Sequence, residues 1–158
     1  MNKQSIVQKT ILLLKHDLTS AVSAAQQAHD AATHEQSKAE TQYDTLGLEN
    51  AYLAEGLSRR IDELNQAISL LEKWKIPEFN EYDDIYLGAL LHLRPQQKAG
   101  TLCVLLAPAG GGRKVEIKTD TVLIITPQSP MGEALLGLGL DDTAKLENGQ
   151  SFQIIQLQ

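Results

Sequence analysis

Two heptad seams constrain the fold of this 158-residue chain more than any other feature. In both seams, small or apolar residues recur alternately four and three positions apart, a spacing that holds over more than three heptads. The first seam is Val7, Ile11, Leu14, Leu18, Ala21, Ala25, Ala28 and Ala32. The second is Tyr43, Gly47, Asn50, Ala54, Leu57, Ile61, Leu64, Ile68 and Leu71. Such a repeat is typical of long helices that pack along one stripe.

The stretch that joins the two seams is polar, and no proline interrupts either of them. Two helices of roughly 30 residues, each about 45 Å long, are therefore predicted to form an antiparallel hairpin with its turn near residues 33–41. Toward this turn the seam residues become small, with Ala28 and Ala32 in one helix and Gly47 and Ala54 in the other. The hairpin should thus be slender at its tip and better packed at its base.

Beyond Leu71 the apolar period changes. Trp74 to Pro77 ends the second helix, because proline cannot continue it and restricts the residue before it. Ser129-Pro130 is a helix start, and Asn148-Gly149 is a strong hairpin turn. The apolar blocks between these signals predict six strands, at 85–93, 100–107, 113–118, 121–126, 143–147 and 151–157. We therefore predict an α+β protein, with a helical hairpin in residues 1–76 and a small, mostly antiparallel sheet with one short helix in residues 77–158.

Charge and composition exclude several classes of function. With a net charge of −6 and a pI of about 5.1, the chain has no broad basic face for nucleic acid. No apolar run approaches the roughly 18 residues of a membrane helix, and the N-terminal apolar patch is too short for a signal peptide, so a cytoplasmic protein is expected. Cys103 lies in an apolar run and should be a buried small hydrophobe. No zinc-ligand pairing or Ser/His/Asp arrangement is visible.

The predicted turn of the hairpin is the most acidic part of the chain. Six acids fall between Asp30 and Glu55, against the single base Lys38. Glu40 and Asp44 are four apart and would share a helix face, whereas Glu35 could join them only through the loop. Such a run is often just a solvated helix end. Alternatively, carboxylates are preferred ligands of Mg²⁺, so a slender rod that carries them could complete a metal site inside another enzyme.

One segment of the second half resembles a known family. Residues 129–137, Ser-Pro-Met-Gly-Glu-Ala-Leu-Leu-Gly, are similar to a helix of the bacterial Gre transcript-cleavage factors (GreA and GreB) and of the related regulator Rnk. The region around Asp142 and the closing strand at 152–157 continue the match. The hairpin, its length and its acidic tip resemble the N-terminal coiled coil of the same family, so the resemblance covers nearly the whole chain.

The resemblance implies a coiled-coil arm followed by a domain of FKBP-like fold. The domain would dock on bacterial RNA polymerase at the rim of the secondary channel, and the arm would enter the channel. Tip acids, here Glu40 and Asp44 with Glu35 next, would help to hold a second Mg²⁺ in the polymerase active site. Polymerase itself would then cut backtracked nascent RNA. The residues implied in docking are Ser129, Pro130, Gly132, Leu135 and Gly137.

On this interpretation the protein is a monomeric accessory factor rather than an enzyme. It has no cofactor of its own, shares Mg²⁺ with polymerase and touches RNA only indirectly. An FKBP-like fold does not by itself imply isomerase activity.

The tip departs from the family pattern. Gre tips carry Asp-x-x-Glu followed by Asn-Ala-Glu-Tyr, whereas residues 35–44 hold acids and Tyr43 without that motif. Two alternatives therefore stay open. The protein could occupy the secondary channel without stimulating cleavage, or it could be a coiled-coil adaptor that dimerises or binds another protein.

Overall fold

The computed structural model describes the backbone of residues 1–36 and 45–158, and the side chains of residues 1–34 and 48–158. The described part is an α+β fold, as predicted. In chain order its elements are α1 (Lys3–Gln36), α2 (Thr45–Lys73), β1 (Leu90–Pro95), β2 (Leu102–Leu106), β3 (Lys114–Ile117), β4 (Asp120–Ile125), α3 (Pro130–Leu135), β5 (Thr143–Lys145) and β6 (Ser151–Leu157). The chain divides into two compact units, residues 12–69 and residues 1–11 with 70–158.

The first unit holds most of a long helical hairpin, which confirms this part of the prediction. Helices α1 and α2 have 34 and 29 residues. Their seam positions are buried or half-buried wherever the side chain is described, and most of the described positions between them are exposed. Ile6 and Thr10, near the start of α1, are buried although they lie outside the seam. Within residues 12–69 the buried seam residues are Leu14, Ala21, Ala28, Ala32, Leu64 and Ile68. The seams are thus filled by the two helices of one chain.

The second unit is built on a six-stranded sheet of order β3-β4-β2-β1-β6-β5. Every neighbouring pair is antiparallel except β2 and β4, which run parallel. This arrangement agrees with the predicted, mostly antiparallel sheet. The parallel pair arises because β3 returns along the edge of the sheet before β4 enters it next to β2.

The first strand begins later than predicted. The apolar run from Ile85 indicated a strand at 85–93, but β1 starts at Leu90. Gly88 interrupts the run with a φ of +104°, a backbone conformation that an extended strand does not contain. A Cβ atom at Gly88 would also lie 2.5 Å from the ring of Pro77. Ile85 and Ala89 are nevertheless buried, because the loop before β1 packs into the core.

Both faces of the sheet are covered. On one face lies a core that includes Leu91, Val104 and Ile154, with Leu135 of α3 packed among them. On the other face, Leu90, Leu105 and Ile124 are completely buried outside that cluster. Since β2 is covered on both sides, four consecutive residues of this strand are buried, which explains why it reads as a continuous apolar run.

The beginning of α1 belongs to the same unit as the sheet. The Lys3 ammonium donates hydrogen bonds to the carbonyls of Pro77 at 2.6 Å and Gly88 at 3.2 Å. It also lies 4.8 Å from the centre of the Phe79 ring. Partial burial lowers the pKa of Lys3, while the nearby Glu78 acts in the opposite direction. Helix α2 ends at Lys73, and the compact unit around the sheet consists of residues 1–11 and 70–158. The division of the chain into residues 1–76 and 77–158 stays a prediction.

Two adjacent leucines near the end of α2 provide a matched test of how this helix end packs in the sheet unit. Leu71 is 2 % exposed and Leu70 is 54 % exposed. We expect Leu71→Ala to lower the free energy of unfolding by about 2–5 kcal/mol, because it removes buried methyl groups and leaves a cavity. Leu70→Ala should change it by less than about 0.5 kcal/mol. Urea denaturation followed by circular dichroism measures both, and equal losses would contradict the packing described here.

Candidate functional site

The acids predicted to bind a metal are Glu40 and Asp44, with Glu35 next. Glu40 and Asp44 are outside the described residues. Glu35 lies in the last turn of α1, but its side chain is also outside the described part. Their assignment as the acids that act in polymerase therefore stays a prediction from the sequence.

The described turns next to the tip carry a feature that the sequence analysis missed. Leu48 and Tyr52 are one helical turn apart on α2, and 55 % and 65 % of their surfaces are exposed. Asn50 and Ala54, the seam residues of these turns, are half-buried. At about 100° per residue, Leu48 and Tyr52 lie on the opposite side of α2 from the seam. Their four-residue spacing outside the seam register was the signal available in the sequence.

The segment that resembles the Gre family forms α3 and its two ends. Ser129 is the N-cap, as predicted: its hydroxyl accepts a hydrogen bond from the Gly132 amide at 3.1 Å and donates one to the Thr126 carbonyl at 2.7 Å. Pro130 occupies the first helical turn, where its missing N–H costs nothing. These interactions fix how the chain leaves β4 and enters the helix.

Gly132 lets α3 lie directly on the backbone that precedes it. A Cβ atom there would stand 2.0 Å from the Thr126 carbonyl oxygen and 3.1 Å from the Cα atom of Pro127. Gly137 follows the helix with a φ of +76°, and its amide donates to the Ile85 carbonyl at 2.9 Å. Gly132 therefore allows the close approach of α3 to the backbone, and Gly137 allows the left-handed conformation after the helix.

Leu135, another residue implied in docking, is completely buried in the core. The outer surface of the segment is formed instead by Pro130, Glu133 and Leu136, which are exposed and three positions apart. Of the five residues implied in docking, Pro130 and Gly137 are exposed, and Pro130 belongs to this row. Glu133 and Leu136 were missed by the sequence analysis, although their spacing from Pro130 marks one side of a short helix. Contact with polymerase through this segment stays a prediction.

Cys103 is buried, as expected. Its Sγ atom lies 3.8 Å from Nε2 of His92 on the neighbouring strand. Burial raises the pKa of the Cys103 thiol to about 11; Asp120 adds to the rise and the N-terminal amine opposes it. A thiol that stays protonated at neutral pH is a poor nucleophile and a poor metal ligand.

The described residues show no grouping of three or more His, Cys, Asp or Glu side chains that could hold a metal ion. Within residues 1–36 and 45–158, none of the helices has the length and apolarity needed to cross a membrane.

Comparison with known proteins gives similar solved structures. No protein-family model matches the chain, and no curated protein sequence does. A crystal structure of GreA factor homolog 1 (Gfh1) of Thermus thermophilus is 26 % identical, covers 94 % of each chain and has a TM-score of 0.39. A second structure of the transcription factor Gfh1 has the same identity and TM-score. The Gfh1 of Thermus aquaticus is 23 % identical, with a TM-score of 0.37.

All three structures are of Gfh1.

Gly132 provides a test of the α3 geometry. We expect Gly132→Ala to destabilise the protein by about 2–3 kcal/mol, because the new methyl group meets a backbone carbonyl that cannot move aside easily. Gly56→Ala is the matched control, since Gly56 also lies in a helix and has open space around its Cβ position. It should instead stabilise the protein by roughly 0.5–1 kcal/mol. Thermal unfolding of both variants checks this, and a neutral Gly132→Ala would contradict the close approach.

The raised pKa and the burial of Cys103 predict that its thiol reacts slowly with thiol reagents. A disulfide reagent such as DTNB should modify the native protein at pH 8 far more slowly than the same protein in denaturant, where the thiol has its ordinary pKa. Because the folded pKa lies above the unfolded one, the folded state loses relative stability as pH rises from about 9 toward 11. Cys103→Ala should lessen that loss. Rapid labelling of the native protein would contradict this environment.

Proposed function

We propose that this protein is a Gre-like transcription elongation factor that binds bacterial RNA polymerase, inserts its hairpin tip into the secondary channel and stimulates cleavage of backtracked RNA. The observation that carries the proposal is one chain that joins a long, self-filled helical hairpin to a small sheet domain whose α3 segment resembles the Gre helix. The acidic tip gives this architecture a chemical role.

The hairpin suits insertion because its described part is long and narrow. Helices of 34 and 29 residues extend roughly 40–50 Å at 1.5 Å per residue. Ala28 and Ala32 fill the seam near the tip with single methyl groups, so the helix axes can approach closely there. A slender rod of this length is the shape needed to reach a recessed active site.

The role of the tip is to deliver carboxylates. Glu40 and Asp44, with Glu35 next, would contribute oxygen ligands to a Mg²⁺ ion that polymerase also holds. That ion would activate water for phosphodiester hydrolysis. Glu40 and Asp44 are oxygen donors of the kind that Mg²⁺ prefers, and two carboxylates are a typical protein contribution to such a site. The chain itself would supply position and charge, and polymerase would carry out the reaction.

A second function is favoured by one specific observation. Residues 35–44 lack the Asp-x-x-Glu motif of the Gre tips. A hairpin that enters the channel without placing its acids correctly would regulate or inhibit polymerase by occupancy. This candidate shares the docking and insertion steps of the first and differs from it only in the chemistry at the tip.

The structure weighs against the coiled-coil adaptor. An adaptor of that kind needs an apolar seam that a partner helix can cover. In residues 12–69, Leu14, Ala21, Leu64 and Ile68 are already buried within the hairpin of one chain. Among the described side chains of α2 near the tip, Leu48, Tyr52 and Leu53 are the exposed large apolar residues, and they are too few to form a heptad seam.

A transcript-cleavage assay separates the first two candidates. Stalled, backtracked bacterial elongation complexes with 3′-labelled RNA would be mixed with the protein and Mg²⁺. Release of short 3′ fragments above the intrinsic rate supports the cleavage factor. Binding to polymerase without release supports channel occupancy, and absence of binding would overturn both.

Neutralising the tip acids tests the metal assignment. We expect Glu40→Gln with Asp44→Asn to reduce stimulated cleavage at least about tenfold, because loss of a ligating carboxylate weakens the shared metal, while polymerase binding is retained. Glu35→Gln should have a smaller effect. The matched control is Asp62→Asn with Glu147→Gln, which removes the same charges from exposed positions outside the tip. Equal activity of the two double variants would sink the assignment.

A further inference from the structure

Strand β3 forms one edge of the sheet, with β4 as its neighbour. At its start, Gly112 (φ +82°) and Arg113 both oppose Ile124: the Gly112 amide donates to the Ile124 carbonyl, and the Ile124 amide donates to the Arg113 carbonyl, both at 2.8 Å. This is a bulge with glycine in the left-handed position. The residues of an antiparallel strand then alternate between bonded and unbonded positions.

The register fixes which backbone groups of β3 face outward. Val115 pairs with Val122 and Ile117 with Asp120, both at bonded positions that follow the bulge. Lys114 precedes Val115, and Glu116 lies between Val115 and Ile117. The backbone amides and carbonyls of Lys114 and Glu116 therefore point away from β4. They form a short free edge of the kind that accepts another strand.

The side chain of Lys9 covers part of this edge. Its ammonium donates a hydrogen bond to the Glu116 carbonyl at 2.7 Å. Lys9 belongs to α1 and lies in the same compact unit as β3. A charged group on an outward carbonyl is one means by which proteins prevent unwanted strand pairing.

The edge is complementary to itself. If two copies of β3 pair antiparallel about Val115, Lys114 stands opposite Glu116 of the second copy, and Glu116 opposite Lys114 of that copy. Each of these pairs can exchange both backbone hydrogen bonds. Both side chains are exposed on one face of the strand, while Val115 points into the core. Opposite charges placed directly across from each other stabilise strand pairing.

We propose that the β3 edge is a homodimerisation edge that Lys9 holds closed. The occupant is a second copy of this chain, chosen by the register and by the alternation of Lys114 and Glu116. Wild-type protein is accordingly monomeric at ordinary concentrations, and removal of the Lys9 ammonium opens the edge. This inference does not depend on binding to polymerase.

Sedimentation equilibrium over a wide concentration range tests the proposal. Lys9→Met keeps most of the side-chain stem but cannot donate to the Glu116 carbonyl. It should lower the dimer dissociation constant at least about tenfold, the change expected when an acceptor is freed from a charged donor. Lys98→Met is the control, because it removes the same charge from an exposed loop. Unchanged thermal unfolding of Lys9→Met confirms that the monomer fold is intact.

A charge exchange then locates the contact. In the Lys9→Met background, Lys114→Glu or Glu116→Lys alone places like charges opposite each other twice and should abolish the dimer. The double change Lys114→Glu with Glu116→Lys restores opposite charges and should restore it.

Three results would overturn the proposal. The first is a Lys9→Met variant that stays monomeric. The second is a wild-type protein that dimerises as tightly as that variant. The third is a dimer whose dissociation constant does not change when the charges of Lys114 and Glu116 are altered. A monomeric Lys9→Met variant that binds polymerase more tightly than wild type would assign the edge to a strand of polymerase instead.

Discussion

The close approach at Gly110 is the contact on which the sheet unit depends. A Cβ atom at this residue would lie 2.8 Å from Cγ2 of Thr10, and the φ of +84° also favours glycine. Leu71 and Ile124 meet at the same point, so both helix ends and the sheet converge on one residue that has no side chain. Thr10 is buried there and satisfies its hydroxyl by donating to the Ile6 carbonyl at 2.9 Å.

The two ends of the hairpin have different physical characters. Near the base, Leu14, Leu64 and Ile68 bury large aliphatic side chains, which contribute most of the packing energy. Near the tip, Ala28 and Ala32 are buried but offer only methyl groups. The small seam residues thus make the described part of the hairpin slender near its tip, at the expense of local stability there. The exposed apolar side chains of Leu48 and Tyr52 also lie near the tip, in the weakly packed part of the hairpin.

Local patterns in the sequence sufficed for some elements and not for others. The heptad period revealed the hairpin because each helix carries its own repeat, and Ser129-Pro130 revealed the start of α3 through capping chemistry. The parallel pairing of β2 with β4 could not be foreseen, because pairing between distant segments leaves no local pattern. The burial of Leu135, which the resemblance implies in docking, could not be read from the motif, because the motif contains both core and surface positions. The contact of Lys9 with the edge of β3 exists only in the folded chain.

The sheet unit is discontinuous in sequence, and this has a consequence for the order in which the chain folds. Lys3 bonds to Gly88, 85 positions away, and the N-terminal amine donates to the Gln158 side chain, 157 positions away. Closing such long loops costs entropy that local helical contacts do not incur. The hairpin can therefore form early, while the first turns of α1 must wait for strands synthesised much later. Until then Ile6, which lies outside the heptad seam and is completely buried in the folded protein, remains uncovered on the growing chain.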